Sequence, residues 1–343
     1  LRPIVKAGPV TERTIPLSPR YATAVARRAW QGQLDRQHWD VIIAHRAEFL
    51  AAVALVRAGR HLPPSVAMLH SHSGHARRAM SPFRGRALLL GERVAISRCD
   101  VAVVVSHSSL PYYQQRYPRH ADRFRWIPNG VDVARFGGGD RMAWRHRHGF
   151  TADDRVLVYH GRYDREKGIP LLLDMMRLLL ADENAWHLVT AGIGPLAADL
   201  AGAAATWARG RIHDLGYLPG SEIPGLLGAA DIGVLCSDFE GLSNSLLECL
   251  AAGLPVVATD AGDNALVLDH VSSELVAAAE ASSLASAVRW AWAEREHLAP
   301  AARRAAQSFS LDSRIERLIT LFEGLAGGEL GAPANLANPA HTS

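Results

Sequence analysis

The sequence predicts an α/β protein built from two doubly wound parallel-sheet domains facing a cleft. Three observations carry that expectation. Short apolar runs rich in Val and Ile recur along the chain, apolar on both faces, as buried parallel strands require. Helix-length segments separate these runs, and strand–helix alternation yields parallel sheets with helices on both faces. The chain also has 343 residues, more than a single core ordinarily supports.

In the first half, "DVIIAH" (40–45), "SVAMLH" (65–70) and "DVAVVVS" (100–106) read as strands, with helices over 47–58 and 85–98 between them. "WIPNGVDVARF" (126–136) follows with a Pro-Asn-Gly turn signal, and then the glycine run 137–139, where the domain boundary is expected. The second half repeats the pattern. Strands are expected at 155–161, 186–192, 212–218, 231–237 and 255–262. Helices are expected from Pro170 in the first helical position, over 195–208, at "EIPGLLGAA", and at "SNSLLECLAAG" ending on Gly253. Two late helices, "LASAVRWAWAEREHL" and "SLDSRIERLITLFEGL", close the ordered part, and the Gly/Pro/Ala/Asn-rich tail 326–343 is expected to be disordered. The domains are therefore 1–136, 137–308, a final helix 309–325 and the tail.

Composition is that of an ordinary globular protein, 48% hydrophobic and 21% charged. Cys99, Cys236 and Cys249 have no metal or redox spacing and read as buried thiols of a reducing compartment. The most apolar stretch, "LLLDMMRLLL", carries Asp174 and Arg177 and falls short of the roughly 18 residues of a membrane span. No secretory signal is recognised at Leu1. Charge is lopsided: residues 1–150 hold 24 Lys+Arg against 9 Asp+Glu, and 151–343 hold 13 against 25. A basic first half fits an anionic partner such as a membrane surface or a lipid diphosphate; an Arg-rich composition is the plain alternative. A nucleic-acid role is not expected, because no aromatic interleaving or binding motif accompanies the charge.

In open α/β sheets ligands sit beyond the carboxyl ends of the strands, so the loops after Tyr159, Val189, Leu218, Cys236 and Thr259 are the ones to inspect. "HGRYDREKGIP" (160–170) brings Arg162 and Lys167 between Gly161 and Gly168, and Lys167 is one of two lysines in the chain. A forked Arg and a point-charge Lys can clamp a diphosphate; a charged surface turn is the alternative. "TAGIGP" supplies Gly192 and Gly194, either for close backbone approach to a nucleotide or for a tight turn. It lacks the third glycine and the acidic residue of a dinucleotide site. In "DFEGLSNSLLECLAAG", Ser245 and Glu248 fit a capping box, which accounts for Glu248 without a ligand. Glu240 has no helix to cap. It sits in a Gly-flanked loop, followed by the amides of 241–244 at a helix start, where an anion can bind.

Taken together, "WIPNGVD", "GRYDREKG", "AGIGP" and "ADIGVLCSDFEGLSNSLLECLAAGLPVVATDAG" resemble, in order and spacing over roughly 94–270, the retaining glycosyltransferases of the GT-B fold, family four, with its E-x7-E motif at Glu240 and Glu248. The resemblance implies two Rossmann-like domains, the second binding a nucleotide sugar. It implies that Arg162 and Lys167 bind the donor diphosphate, with Gly161, Gly192, Gly194 and Leu218 lining the donor site. It further implies that Glu240 contacts the donor sugar, that Gly241, Leu242, Ser243 and Asn244 present amides, and that Glu248 holds the ribose. His70 looks like the family's cleft histidine, with His72 as the alternative, and the last helix resembles the one that crosses back to the first domain.

Two departures stand out. No Gly-rich first strand–helix unit is recognised before Leu1–Arg20, and the usual Gly-Gly reads Ala261-Gly262-Asp263-Asn264. The expected activity is transfer of a sugar from UDP or GDP to an acceptor hydroxyl with retention. No cofactor and no metal are expected. A lipid-linked or oligosaccharide acceptor in surface polysaccharide or lipopolysaccharide assembly is expected, with the protein in the cytoplasm or peripheral on the inner membrane face. The alternatives are a non-hydrolysing epimerase on the same fold and a non-catalytic nucleotide-sugar binder.

Overall fold

The apolar runs become the strands of two parallel sheets. A computed structural model of the chain describes residues 40–45, 63–70, 82–138, 140–183 and 185–328. The chain divides into two units: one runs to Pro128 and resumes at Glu316, and the other is Asn129–Ile315.

In the first unit β1 (Ile42–Ala44), β2 (Ser65–Leu69), β3 (Val101–Val104) and β4 (Phe124–Trp126) lie in sequence order, all parallel. Alternation along the strands sorts their side chains to two faces. Ala67, Leu69, Ala102 and Val104 pack with Ala95 and Ile96 of helix α1 (Pro82–Arg98) and Tyr113 of α2 (Ser109–Arg116). Val66, Met68, Val101 and Val103 face the other way and pack with Leu318, Leu321, Phe322 and Leu325. The expected helix 47–58, His72 and the start of the chain lie outside the described residues.

The second unit holds β5 (Arg155–His160), β6 (Trp186–Ala191), β7 (Ile212–Asp214), β8 (Ile232–Leu235), β9 (Val256–Thr259) and β10 (Val276–Ala277). Their order in the sheet is β10-β9-β8-β5-β6-β7, so the winding reverses between β5 and β8. Its helices, in chain order, are α3 (Val133–Phe136), α4 (Arg141–Arg147), α5 (Ile169–Asp182), α6 (Ala197–Ala205), α7 (Ile223–Ala229), α8 (Asn244–Ala251), α9 (Asn264–Leu268) and α10 (Ala281–Ser308); α11 (Leu311–Gly327) begins here and from Glu316 belongs to the first unit.

Several boundaries differ from the sequence reading. The units part at Pro128/Asn129 rather than at the glycine run. "DVARF" folds as a helix capped by Asp132, whose side chain accepts from Arg135 N, and it buries Phe136 in the second core. The strand expected over 212–218 stops at Asp214, because Asp214 Oδ1 takes the Gly216 N–H and Gly216 turns at φ +62°. The first late helix runs through Pro300 to Ser308, since Ala302, Ala305 and Ala306 are buried against the core. The last helix continues to Gly327, inside the tail expected to be disordered.

β5 and β8 are also tied at their amino ends. Arg145 of α4 is buried, donates to the carbonyls of Thr151, Asp154 and Ala229, and pairs with Asp231 at 2.7 Å. Asp231, just before β8, also accepts from Arg141 and from Val156 N at 2.7 Å in β5. Every charge in the cluster has its donors or acceptors, so removing one partner leaves the other buried and uncompensated. Asp231→Ala is expected to cost about 3–5 kcal/mol of stability, read as an early urea transition; an unchanged midpoint would remove this account.

Burial also holds His160 of β5 and His187 of β6 down to about 4. Their native forms bind fewer protons than the unfolded chain, where histidine titrates near ~6.5. The stability they contribute is therefore complete above about 6.5 and lost as pH falls toward 4. Melting temperature should drop across that window, with a shallower slope in a His160→Asn/His187→Asn variant; identical slopes would contradict the assignment.

Candidate active site

The reversal of strand order is where the chains leaving β5 and β8 diverge, the usual place for a ligand in such a sheet. Here the two loops are laced together. Gly168 stands against the carbonyl of Cys236; a Cβ there would lie 1.8 Å from that oxygen, and Gly168 adopts φ +70° besides. Asp238 N donates to Glu166 O at 2.9 Å. Above this contact the two charged side chains meet: Lys167 Nζ donates to Glu240 Oε1 at 2.8 Å. Glu240 is buried, and the same oxygen accepts from Ser237 Oγ at 2.8 Å. Lys167 N is itself held by Asp164 Oδ1.

Lys167 and Glu240 are therefore partners of one another. Arg162 stands apart from them. Its side chain is 64% exposed and pairs with Asp164 at 2.8 Å and Glu166 at 4.0 Å. Such surface pairs are worth at most about 1 kcal/mol, so the guanidinium is free to take other acceptors at little cost.

Gly192 and Gly194 come together with this loop for a packing reason. A Cβ at Gly192 would lie 1.8 Å from Gly161 O, and one at Gly194 would lie 2.3 Å from Tyr163 O. Backbone bonds from Tyr163 N to Ile193 O and from Leu196 N to Tyr163 O close the contact. Close packing of backbone on backbone thus accounts for both glycines, which press the loop after β6 onto the loop after β5. Leu218 lies beyond the end of β7 and is half-buried against the second core.

The start of α8 corrects the capping-box expectation. The cap is Ser243, whose Oγ accepts from Leu246 N, and Ser245 Oγ donates instead to His160 O at 2.9 Å. Glu248 is thus released from a capping role. It lies on the fifth helical residue, 3.6 Å from His160 Nδ1, and burial pushes its carboxyl upward while Arg135 opposes the shift. With His160 held near about 4, the imidazole beside it is neutral at physiological pH. Among the described residues the backbone N–H groups of Gly241, Leu242 and Ser243 have no acceptor, and they stand just ahead of the helix start.

The loop after β9 closes the site from the far side. Thr259 Oγ1 donates to Ser237 O at 2.6 Å, Asn264 Nδ2 to Thr259 O, and Asp263 N to Gly241 O. The departure Ala261-Gly262-Asp263-Asn264 therefore supports the Glu240–Gly241 backbone. The sequence reading does not single out Ser237, Thr259 and His160; Ser237 acts on Glu240 three residues on, whereas Thr259 and His160 meet Ser237 and Ser245 across 22 and 85 positions.

His70 belongs to the first unit. It follows β2, is exposed, and its Nε2 lies 3.1 Å from Nδ1 of His45, with the rings stacked at 5.3 Å. Among the described residues no group of three His, Cys, Asp or Glu side chains is arranged to hold a metal ion, and no helix is long and apolar enough to cross a membrane.

Comparison with known proteins places this geometry. Residues 154–294 match the model of glycosyl transferases group 1, and residues 3–135 match that of Glycosyltransferase Family 4. The chain is 30% identical over 336 residues to a D-inositol 3-phosphate glycosyltransferase of Geodermatophilus obscurus, covering 90% of this chain and 68% of that protein. Among solved structures it is similar to Anabaena HepE in complex with UDP-glucose, with TM-score 0.72, 20% identity, and 90% and 83% of the two chains covered. Sucrose-phosphate synthase from Thermosynechococcus elongatus gives TM-score 0.74 and 19% identity, covering 94% and 82%. The chain belongs to the group 1, family four glycosyltransferases and has their GT-B type of fold.

Proposed function

We propose that this glycosyltransferase moves a sugar from a nucleoside diphosphate sugar, of UDP or GDP, to an acceptor hydroxyl with retention of configuration. The observation that carries the reading is the Lys167–Glu240 pair at the strand-order reversal, beside the open amides of 241–243. An ammonium has three protons to donate, and Glu240 takes one. The others, the amides at the start of α8 and the lightly held Arg162 can neutralise the departing diphosphate. Glu240 Oε1 is committed to Lys167 and Ser237, which leaves Oε2 for donor-sugar hydroxyls. Glu248, out of the capping box and half-buried, suits the ribose diol. For His70 the role beside the reacting centre rests on the family resemblance alone.

Retention is assigned to a front-face route, in which the leaving phosphate helps to take the acceptor proton. Retaining hydrolases instead hold two carboxyl groups about 5 Å apart across the bond. Here one oxygen of the loop carboxylate is engaged by a cation and a hydroxyl, and the front-face route asks of the other only hydrogen bonds to the sugar.

The acceptor reading is a lipid-linked or oligosaccharide substrate of surface polysaccharide or lipopolysaccharide assembly, met at the inner face of the cytoplasmic membrane. It rests on the excess of basic residues in 1–150. The name of the Geodermatophilus relative favours a second reading, a phosphorylated polyol. Both acceptors are anionic, as a basic half would select.

Incubation with UDP-, GDP- and ADP-sugars without acceptor should release nucleoside diphosphate from one of them. Lys167→Ala and Glu240→Ala should each cut that release by about 10²–10³, and EDTA should leave it unchanged. Release equal in both variants would refute the assignment, and activity lost in EDTA and restored by Mn²⁺ would refute the metal-free reading. For the membrane, replacing Arg77, Arg78, Arg84 and Arg86 together should weaken binding to anionic liposomes; unchanged binding would favour the polyol acceptor.

A further inference from the structure

Asn129 opens the second unit and Arg314 stands next to its last residue, Ile315. Their side chains meet. Arg314 donates to Asn129 Oδ1 at 2.5 Å, and Asn129 Nδ2 donates to the carbonyl of Leu242 at 3.4 Å. The partners are 185 and 113 residues apart in sequence, so nothing local brings them together.

The backbone beneath them is rigidly joined. Val131 N donates to Phe309 O at 2.9 Å, Leu311 N donates to Val131 O at 2.8 Å, and Val131 and Ser310 form a parallel bridge. At Gly130 a Cβ would lie 2.8 Å from the α-carbon of Leu311, so the two segments touch backbone to backbone. Arg314 is half-buried and its burial lowers its pKa, and among the described residues its hydrogen-bond partner is the neutral Asn129 rather than a carboxylate. The hydrogen bond to the carboxamide oxygen offsets part of the cost of removing the guanidinium from water. A cation on the oxygen of an amide polarises the amide and strengthens its N–H as a donor.

The bond that gains is the one to Leu242, the residue before the cap of α8. In a trans peptide the carbonyl and the following N–H point in opposite directions. Fixing the Leu242 carbonyl toward Asn129 therefore turns the Ser243 N–H away from it, and that N–H has no acceptor among the described residues. We propose that Asn129 and Arg314 are positioning residues for transfer: together they set the plane of the Leu242–Ser243 peptide and aim the Ser243 amide at the distal phosphate of the donor. The inference rests on the reading of this loop as the donor site.

The test uses the full chain and isothermal titration with UDP, GDP and ADP, then with the monophosphate of whichever diphosphate binds tightest. Asn129→Asp keeps an oxygen for Arg314 and loses the donor to Leu242, so it is expected to fold. It should weaken diphosphate binding about tenfold, the equivalent of about 1.4 kcal/mol, and change monophosphate binding less than about twofold. Asn129→Ala should do the same, and Arg314→Lys should retain more affinity than Arg314→Met. A wild-type chain that binds no nucleoside diphosphate would sink the donor-site reading and this inference with it. Wild-type binding with diphosphate and monophosphate affected equally, or not at all, in Asn129→Asp would overturn the positioning role and leave the donor site standing.

Discussion

Gly168 lies so close to the carbonyl of Cys236 that no side chain fits between them, and its positive φ bends the loop after β5 onto the loop after β8. The rest of the carboxyl edge depends on that approach. It brings Lys167 within 2.8 Å of Glu240, although the residues are 73 positions apart. It also places Asp238 N on Glu166 O, so the two loops share one backbone frame. A β-carbon at position 168 would push the loops apart, and the ion pair would lose the geometry that lets one carboxylate oxygen serve both Lys167 and Ser237.

This frame separates two kinds of charge. Lys167 is held, its side chain 21% exposed and its partner 8% exposed, whereas Arg162 at 64% exposure has only surface contacts. The held cation keeps a fixed position while the loose one can reorient. If both act on a departing diphosphate as proposed above, the fixed charge supplies preorganisation and the loose one reach. That division follows from packing rather than from residue type.

Much of the fold was legible in the sequence because parallel strands are buried on both faces and read as short apolar runs. β5, β6, β8 and β9 come within a few residues of expectation for that reason. β10 and α9, two and five residues long, carry too little pattern to detect. The units part before the expected boundary: Gly137–Gly139 is a better linker by composition than Pro128–Asn129, but the burial of Val131 and Phe136 in the second core and the bonds of Val131 to Phe309 and Leu311 tie 129–136 to the second unit. The cap of α8 was misplaced because Ser243 and Ser245 are equally good caps by type; Ser245 is diverted by the carbonyl of His160, 85 residues away. Motif and spacing single out residue types for the candidate site. Which of them pair was not, since Lys167–Glu240 and Asn129–Arg314 are products of topology.

The pairing also bears on what Glu240 can do. A carboxylate acting as a nucleophile must bring an unshared oxygen to the anomeric carbon with its charge available. In Glu240, Oε1 accepts from an ammonium and from a hydroxyl, and Ser237 is itself held through its carbonyl by Thr259. Both donors withdraw charge from the carboxylate, and together they hold its orientation against rotation about the terminal bond. Such a group holds its remaining oxygen, Oε2, in a constant direction, from which it can accept hydroxyl hydrogen bonds. On the front-face reading proposed above, these contacts ask of Glu240 only a fixed direction for its free oxygen, and the protein supplies position and charge.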